Sequence, residues 1–201
     1  RDEGIVGFSS VPQIERTDYV FNANDSYWLA NSSALLTGYS PMHGLEGTPR
    51  SLRTRQNDRS LSDTSASGPY GEDGKFSLDE MAAEILSNRS LTATLLKDEL
   101  VERCKASSSV SVGGEVVDLR EACSVLDAYD GRLELDARGA VLLREWITLY
   151  EARETRGAGR LFAVDFDPSD PVATPRGLAK GELALKNLAR AVQVMERAGL
   201  A

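Results

Sequence analysis

The sequence is poor in the residues that usually announce a site. It has one histidine, His43, and two cysteines, Cys104 and Cys123, in 201 residues. It has no Cys-x-x-Cys pair, no His-Glu-x-x-His, no phosphate-binding loop, no EF-hand loop and no Gly-x-Ser-x-Gly elbow, so the chemistries those motifs carry find no support. Two cysteines cannot supply the four ligands of a structural zinc site. Apolar runs are only a few residues long, whereas a membrane helix needs about 20. No basic stretch followed by an apolar core opens the chain, so no signal peptide is expected in this stretch. A surplus of basic charge is also lacking: 31 acidic residues against 23 basic give a net charge of −8. Nucleic acid is therefore disfavoured as a partner, since phosphate binding needs a surplus of Lys and Arg.

What is present reads as globular protein. The chain is 41% hydrophobic and 27% charged, in the range of one or two soluble units. Gly4 to Phe8 and Tyr19 to Phe21 are short β-prone runs, followed by the turn-forming cluster Asn22-Ala23-Asn24-Asp25-Ser26. From Trp28 to Pro49 glycine and proline break every period, which predicts a long irregular loop, ordered or lid-like. Thr48-Pro49 before Arg50 reads as a helix start, and the stretch from Ser65 to Gly71 as a loop. Ser77-Leu78-Asp79-Glu80 is a capping box, followed by Met81, Ala82 and Ile85 at helical spacing. Leu91, Leu95, Leu96 and Leu100 predict a helix ending near Cys104. Leu119, Ala122, Cys123 and Leu126 predict another, and Val141, Leu142, Trp146 and Leu149 a third, after Gly139. A last helix is expected from about Gly177 to Ala198. The expected fold class is mainly α with a short β segment at the N-terminus. The expected division is a strand-end and loop segment over 1–48 and a helical region over 49–201.

Candidate chemistry is sparse. His43 lies in the irregular loop without an evident Ser or Cys partner. Glu134 and Asp136 read first as a charged loop, and only second as paired carboxylates. Trp28, Tyr129 and Trp146 fit core or anchor roles. Arg50, Arg53, Arg55 and Arg59 read as a solvated helix face or loop. The two cysteines form either a disulfide closing a loop or two separate buried thiols. The polar excursion from Lys105 to Gly114 between them favours the disulfide, which implies an oxidising compartment. The Asn cluster remains. Its side chains either shape the turn through local backbone hydrogen bonds, or one of them aims an N–H donor at a developing oxyanion.

The blocks Tyr19-Val20-Phe21-Asn22-Ala23-Asn24-Asp25-Ser26, Leu36 to Pro41 and Pro49-Arg50-Ser51-Leu52-Arg53 resemble the β-subunit of the penicillin acylase family. The resemblance is greatest to acylases acting on acyl-homoserine lactones and on lipopeptides such as aculeacin. Phe76 to Glu80, Ala122-Cys123, Tyr129 to Gly131 and Asp170 to Leu178 agree with it, so it runs through nearly the whole chain. It implies a section of an N-terminal-nucleophile hydrolase whose αββα core lies largely outside this stretch. In that family an autocatalytically exposed N-terminal Ser attacks the amide, with its own α-amine as base. The resemblance places the oxyanion-binding Asn on Asn24 and the active-site Arg on Arg50, with Arg53 as the competing position. Arg1 cannot be the nucleophile, and Ser9, Ser10 and Ser26 are internal. The family's calcium-binding acidic position falls on Leu35, so no cofactor or metal is assigned to this stretch.

The resulting expectation is a section of an amide hydrolase that cleaves a linear non-peptide C–N bond, inactive without the upstream Ser. Its expected partners are the remaining α- and β-chain portions of the same precursor and a small acylated amide. The expected location is secreted or periplasmic. The alternative is a non-catalytic helical interaction domain using the 28–48 loop as its contact surface.

Overall fold

Past residue 48 the helical periodicity is realised in seven α-helices among the described residues of the computed structural model, which are Gly4, 6–65, 68–71 and 73–200. They are α1 (Leu52–Ser62), α2 (Leu78–Ile85), α3 (Asp98–Ala106), α4 (Arg120–Ala128), α5 (Ala140–Thr148), α6 (Ala152–Thr155) and α7 (Leu183–Arg197). A π-helical turn, Ala93–Lys97, leads into α3. Four strands, β1 (Ser109–Val112), β2 (Glu115–Asp118), β3 (Phe162–Val164) and β4 (Arg176–Leu178), form two antiparallel two-stranded sheets. Ile5 in the first β-prone run, and Ala66 and Ser67 in the expected Ser/Gly loop, lie outside the described residues, as does Arg1.

Three expectations need correction. The β structure is not at the N-terminus: no strand is formed over 6–48. A strand requires a paired neighbour, and Tyr19–Phe21 finds one backbone bond, Phe21 N–H to the Ala30 carbonyl at 3.1 Å. The polar excursion after Cys104 is instead a hairpin, with Val112 opposite Glu115 across Gly113-Gly114. Both glycines have positive φ, 62° and 88°, as the commonest two-residue hairpin turn requires. Finally, Arg176–Leu178 is a strand paired with Phe162–Val164, so the last helix begins at Leu183 rather than near Gly177. Gly177 itself has φ 67°, which a right-handed helix cannot accommodate.

The chain forms two compact units, Arg1–Glu84 and Ile85–Ala201. The second has an apolar core of Leu96, Leu100, Leu119, Leu126, Trp146, Leu161, Leu178 and Leu188. Trp146 on α5 also donates from Nε1 to the Ala184 carbonyl of α7 at 3.0 Å, which pins the two helices together. Cys104 on α3 and Cys123 on α4 form a disulfide across a separation of 19 residues. Loop-closure entropy for a ring of that size is about 3 kcal/mol. Replacing both cysteines with Ala is expected to lower stability by about that amount, read as a shift in the urea midpoint.

The carboxylate of Glu154 is another organising group in this unit, only 1% exposed. It accepts from Arg160 Nε at 2.7 Å, Arg160 N at 3.2 Å and Glu151 N at 2.8 Å. The Arg160 hydrogen bond, ahead of the opposing desolvation, holds its carboxyl below the ordinary 4.5. A carboxyl depressed in the folded state stabilises above its unfolded pKa, and that stabilisation disappears as pH falls through the folded value. Wild-type stability should therefore fall on acidification below about pH 4.5. A Glu154→Gln variant should be weaker at pH 7 and show a flatter acid limb in urea melts.

The first unit is organised differently. Its buried apolar residues are Ala23, Trp28, Leu29 and Tyr70, alongside buried Asn31, Arg50, Thr54, Arg55 and Asp58. Hydrogen bonding to charge therefore does much of the ordering. The 28–48 loop is fixed rather than open: Glu46 accepts from the Tyr27 hydroxyl and from the amides of Gly38 and Tyr39, each at 2.9 Å. Trp28 Nε1 donates to the Thr48 carbonyl at 3.2 Å. At Gly44 (φ 136°) a Cβ would lie 3.1 Å from Ser26 Oγ and 3.3 Å from the Tyr27 ring, so the loop passes too close there for a larger residue.

Candidate functional site

The Asn cluster is held by its own chemistry first. Asn22 Oδ1 accepts the Asn24 backbone N–H at 2.8 Å, so the local turn reading is realised by Asn22. Asn24 then sits at φ 61°, in the left-handed region. A non-glycine residue there is uncommon, and Asn tolerates it best. Asn24 is exposed while its neighbour Ala23 is buried.

The cluster meets the beginning of α1 residue by residue. Ser51 is the N-cap: its Oγ accepts from Thr54 N at 3.2 Å. Arg53, in the first turn, reaches back to the cluster. Its Nη2 donates to the Ala23 carbonyl, and Nη1 and Nη2 both approach Asn24 Oδ1 at 3.4 Å. Asp25 Oδ2 accepts from Ser51 N at 3.1 Å, Ser51 Oγ at 3.3 Å and the Thr54 hydroxyl. The contact with Ala23 is the firm anchor, and those to Asn24 are at the long end of hydrogen bonding.

This arrangement assigns the amide of Asn24. A guanidinium has only donors, so the carboxamide atom facing Arg53 is the oxygen. The Nδ2 group is left pointing elsewhere, and it makes no hydrogen bond among the described residues. An exposed, oriented N–H donor that no local acceptor uses is free to bind an oxygen from outside the unit.

Arg50 is placed quite differently. It is 3% exposed, and its Nη1 pairs with Asp58 Oδ2 at 3.2 Å. Asp58 Oδ1 accepts in turn from the Tyr19 hydroxyl at 3.2 Å and from the Ser32 hydroxyl. Asn31, fully buried, donates from Nδ2 to the Tyr19 carbonyl at 2.9 Å and accepts from Ser33 N at 2.8 Å. Asp58 therefore joins α1 to the segments before and after the Asn cluster, and Arg50 is its buried counter-charge. Of the two arginines weighed from sequence, the structure brings Arg53 to Asn24 and seats Arg50 in this network.

The four arginines also do not share one solvated face. Arg53 and Arg59 are exposed, whereas Arg50 and Arg55 are buried. Burial, with Arg50 and Arg59 nearby, pushes Arg55 down to about 10. His43 lies in the turn Pro41–His43, its backbone N–H bonded to the Ser40 carbonyl at 3.0 Å. Glu134 receives Asn88 Nδ2 at 3.3 Å and lines a surface cleft with Asp130 and Asp136. Leu35, where the family resemblance expects a calcium ligand, offers no side-chain oxygen and is 40% exposed. An aliphatic side chain at that position does not fit a calcium ion.

Asp25 is the residue of this site that sequence reasoning did not single out. The available signal was in α1, whose first turn holds no acidic residue of its own, although helix N-termini favour one.

Over most of its length the chain is similar to three acylases. Aculeacin-A acylase of Actinoplanes utahensis is 39% identical over 174 residues, 86% of this chain. The acyl-homoserine lactone acylase PvdQ of Pseudomonas fluorescens strain Pf0-1 is 33% identical over 177 residues, 88% of the chain. PvdQ of Pseudomonas syringae pv. syringae strain B728a is 34% identical over 178 residues, again 88%. In each case the match covers 21% of the relative, so this chain spans about a fifth of the length of these proteins. All three relatives are named as acylases. The chain belongs to the penicillin amidase family, whose model matches residues 1–201.

Proposed function

We propose that this chain supplies the oxyanion-binding section of an acylase, with Asn24 Nδ2 as the donor and Arg53 as the group that orients it. The observation that carries the reading is the Arg53 guanidinium on Asn24 Oδ1. It turns the amide so that its N–H bonds face outward, on a backbone fixed by Asn22 and Asp25. When a nucleophile adds to an amide carbonyl, negative charge gathers on the oxygen, and a donor already aimed at it lowers the barrier. Arg50, the first assignment from sequence, acts in this reading by holding the unit together.

The nucleophile in this reading is an N-terminal Ser on another part of the parent protein. Its α-amine, with an ordinary pKa near ~8, takes the hydroxyl proton. The chain is then inactive by itself, and its partners are the remaining α- and β-chain portions of the precursor. The αββα core of the enzyme lies in those portions. The substrate in this reading is a linear acyl amide of an antibiotic, lactone or lipopeptide nucleus; relatives named for aculeacin A and for acyl-homoserine lactones support an acylated substrate. The Cys104–Cys123 disulfide supports a secreted or periplasmic location, because such bonds persist in oxidising compartments.

The test is a precursor that carries this section, with Asn24 changed to Ala. Turnover of an acyl amide should drop by about 10²–10³, with autocatalytic chain cleavage and folding monitored separately. Turnover near wild type in a correctly cleaved enzyme would overturn the assignment.

A further inference from the structure

We propose that Asp25 is the positioning residue of this site: by clamping the start of α1 it sets Arg53, and through Arg53 the direction of the Asn24 amide.

The clamp has two ends. Ala23 and Asn24 receive the guanidinium of Arg53, while Asp25 receives the flanking residues Ser51 and Thr54. Three consecutive residues of one segment thus hold the cap and first turn of the other. Either end alone leaves a freedom. Arg53 is exposed and its long side chain has several rotamers. The bond to Ala23 fixes its tip only while its Cα stays in register.

Electrostatics calls for the same carboxylate. The N-terminal end of a helix carries partial positive charge and disfavours a cation in its first turn. The first turn of α1 contains Arg53 and no acidic residue. Asp25 supplies the missing anion through space, on Ser51 N and on the hydroxyl of Thr54, which is only 2% exposed. The residue that makes Arg53 tolerable at that position is also the one that registers it against Asn24. A cap from within α1 could stabilise the helix equally well, but it would not tie the helix to the neighbour of the Asn whose amide is being aimed.

The catalytic consequence of this role rests on the reading of Asn24 as the oxyanion donor; the geometry does not. The experiment therefore reads geometry in the whole chain, by the ¹⁵N-resolved side-chain amide signals of Asn24 and the Nε signal of Arg53. The set comprises wild type, Arg53→Ala, Asp25→Ala, Asp25→Asn and, as a milder release of the clamp, Thr54→Val. In Asp25→Ala the Asn24 Nδ2 protons should move toward their Arg53→Ala positions, and the Arg53 Nε signal should lose its distinct shift. Asp25→Asn, which keeps an acceptor oxygen, should return most of the wild-type pattern. Thr54→Val should give a smaller shift in the same direction, and it decides the case if Asp25→Ala does not fold. Asp25 is a helix cap and nothing more if the Ser51 and Thr54 amides shift while the Asn24 and Arg53 side-chain signals stay at wild type. Neither outcome depends on turnover, so failure of this role and failure of the oxyanion reading are separately visible.

Discussion

An Asp58→Ala substitution is expected to lower the stability of the first unit by about 3–5 kcal/mol, the loss typical of a buried ion pair that forfeits one partner. The magnitude follows from what is left behind. Arg50 is 3% exposed and its nearest anion is Asp58 at 3.2 Å. Without the carboxylate, a buried guanidinium loses its counter-charge, and the Tyr19 and Ser32 hydroxyls lose an acceptor. The buried set of this unit is as much polar as apolar, so little hydrophobic burial compensates. Asp58→Asn keeps the shape and an acceptor oxygen, and should lose less than Asp58→Ala. Arg59→Ala, an exposed neighbour on α1, should stay within about 0.5 kcal/mol of wild type. Urea melts followed by fluorescence of buried Trp28 would report the first unit. A loss below about 1 kcal/mol in Asp58→Ala would show the network to be a surface-like ion pair of little weight.

Local signals in the sequence were realised where the structure is local. The Ser77–Glu80 capping box forms as read, with Ser77 N on Glu80 Oε2 at 2.8 Å and Glu80 N on Ser77 Oγ at 3.2 Å. Gly139, at φ 92°, stands before α5 as expected. The disulfide, one of two open readings, is formed. The β1–β2 hairpin was legible as well. Ser109-Val110-Ser111-Val112 alternates and Gly113-Gly114 fits a tight turn, but the run of serines masks that period behind polarity.

The arginine assignment shows where sequence reading stops. A helix starting at Pro49 would place Arg50 and Arg53 on nearly the same face, three residues apart. The helix instead starts at Leu52 with Ser51 as its cap. Arg50 therefore precedes the cap in non-helical backbone and turns inward to Asp58, while Arg53 lies in the first turn and faces the Asn cluster. A shift of three residues in a helix boundary, from Pro49 to Leu52, separates the two roles. The Asp25 clamp was out of reach for a related reason. It is a contact across 26 to 29 residues, and no period or turn rule encodes it.

With Asn24 as the proposed oxyanion donor, its loss is the other large effect. Removing one preorganised oxyanion donor raises an activation barrier by about 3–4 kcal/mol. Asn24 has little other work to do: its side chain is exposed, and among the described residues it contacts Arg53. Asn24→Ala should therefore lower kcat far more than it lowers stability. Arg53→Ala leaves the donor in place but frees its direction, and misplacing a catalytic group by about 1 Å can cost up to ~10²-fold. The most direct measurement is kcat for the double-mutant cycle of Asn24→Ala and Arg53→Ala in a processed precursor carrying this section. If Arg53 acts through Asn24, the double variant turns over at about the rate of Asn24→Ala alone, the non-additivity expected of groups working as a unit. If the two losses multiply, or if Asn24→Ala keeps near-normal kcat, the arginine-oriented carboxamide is not the oxyanion donor and the proposed role is wrong.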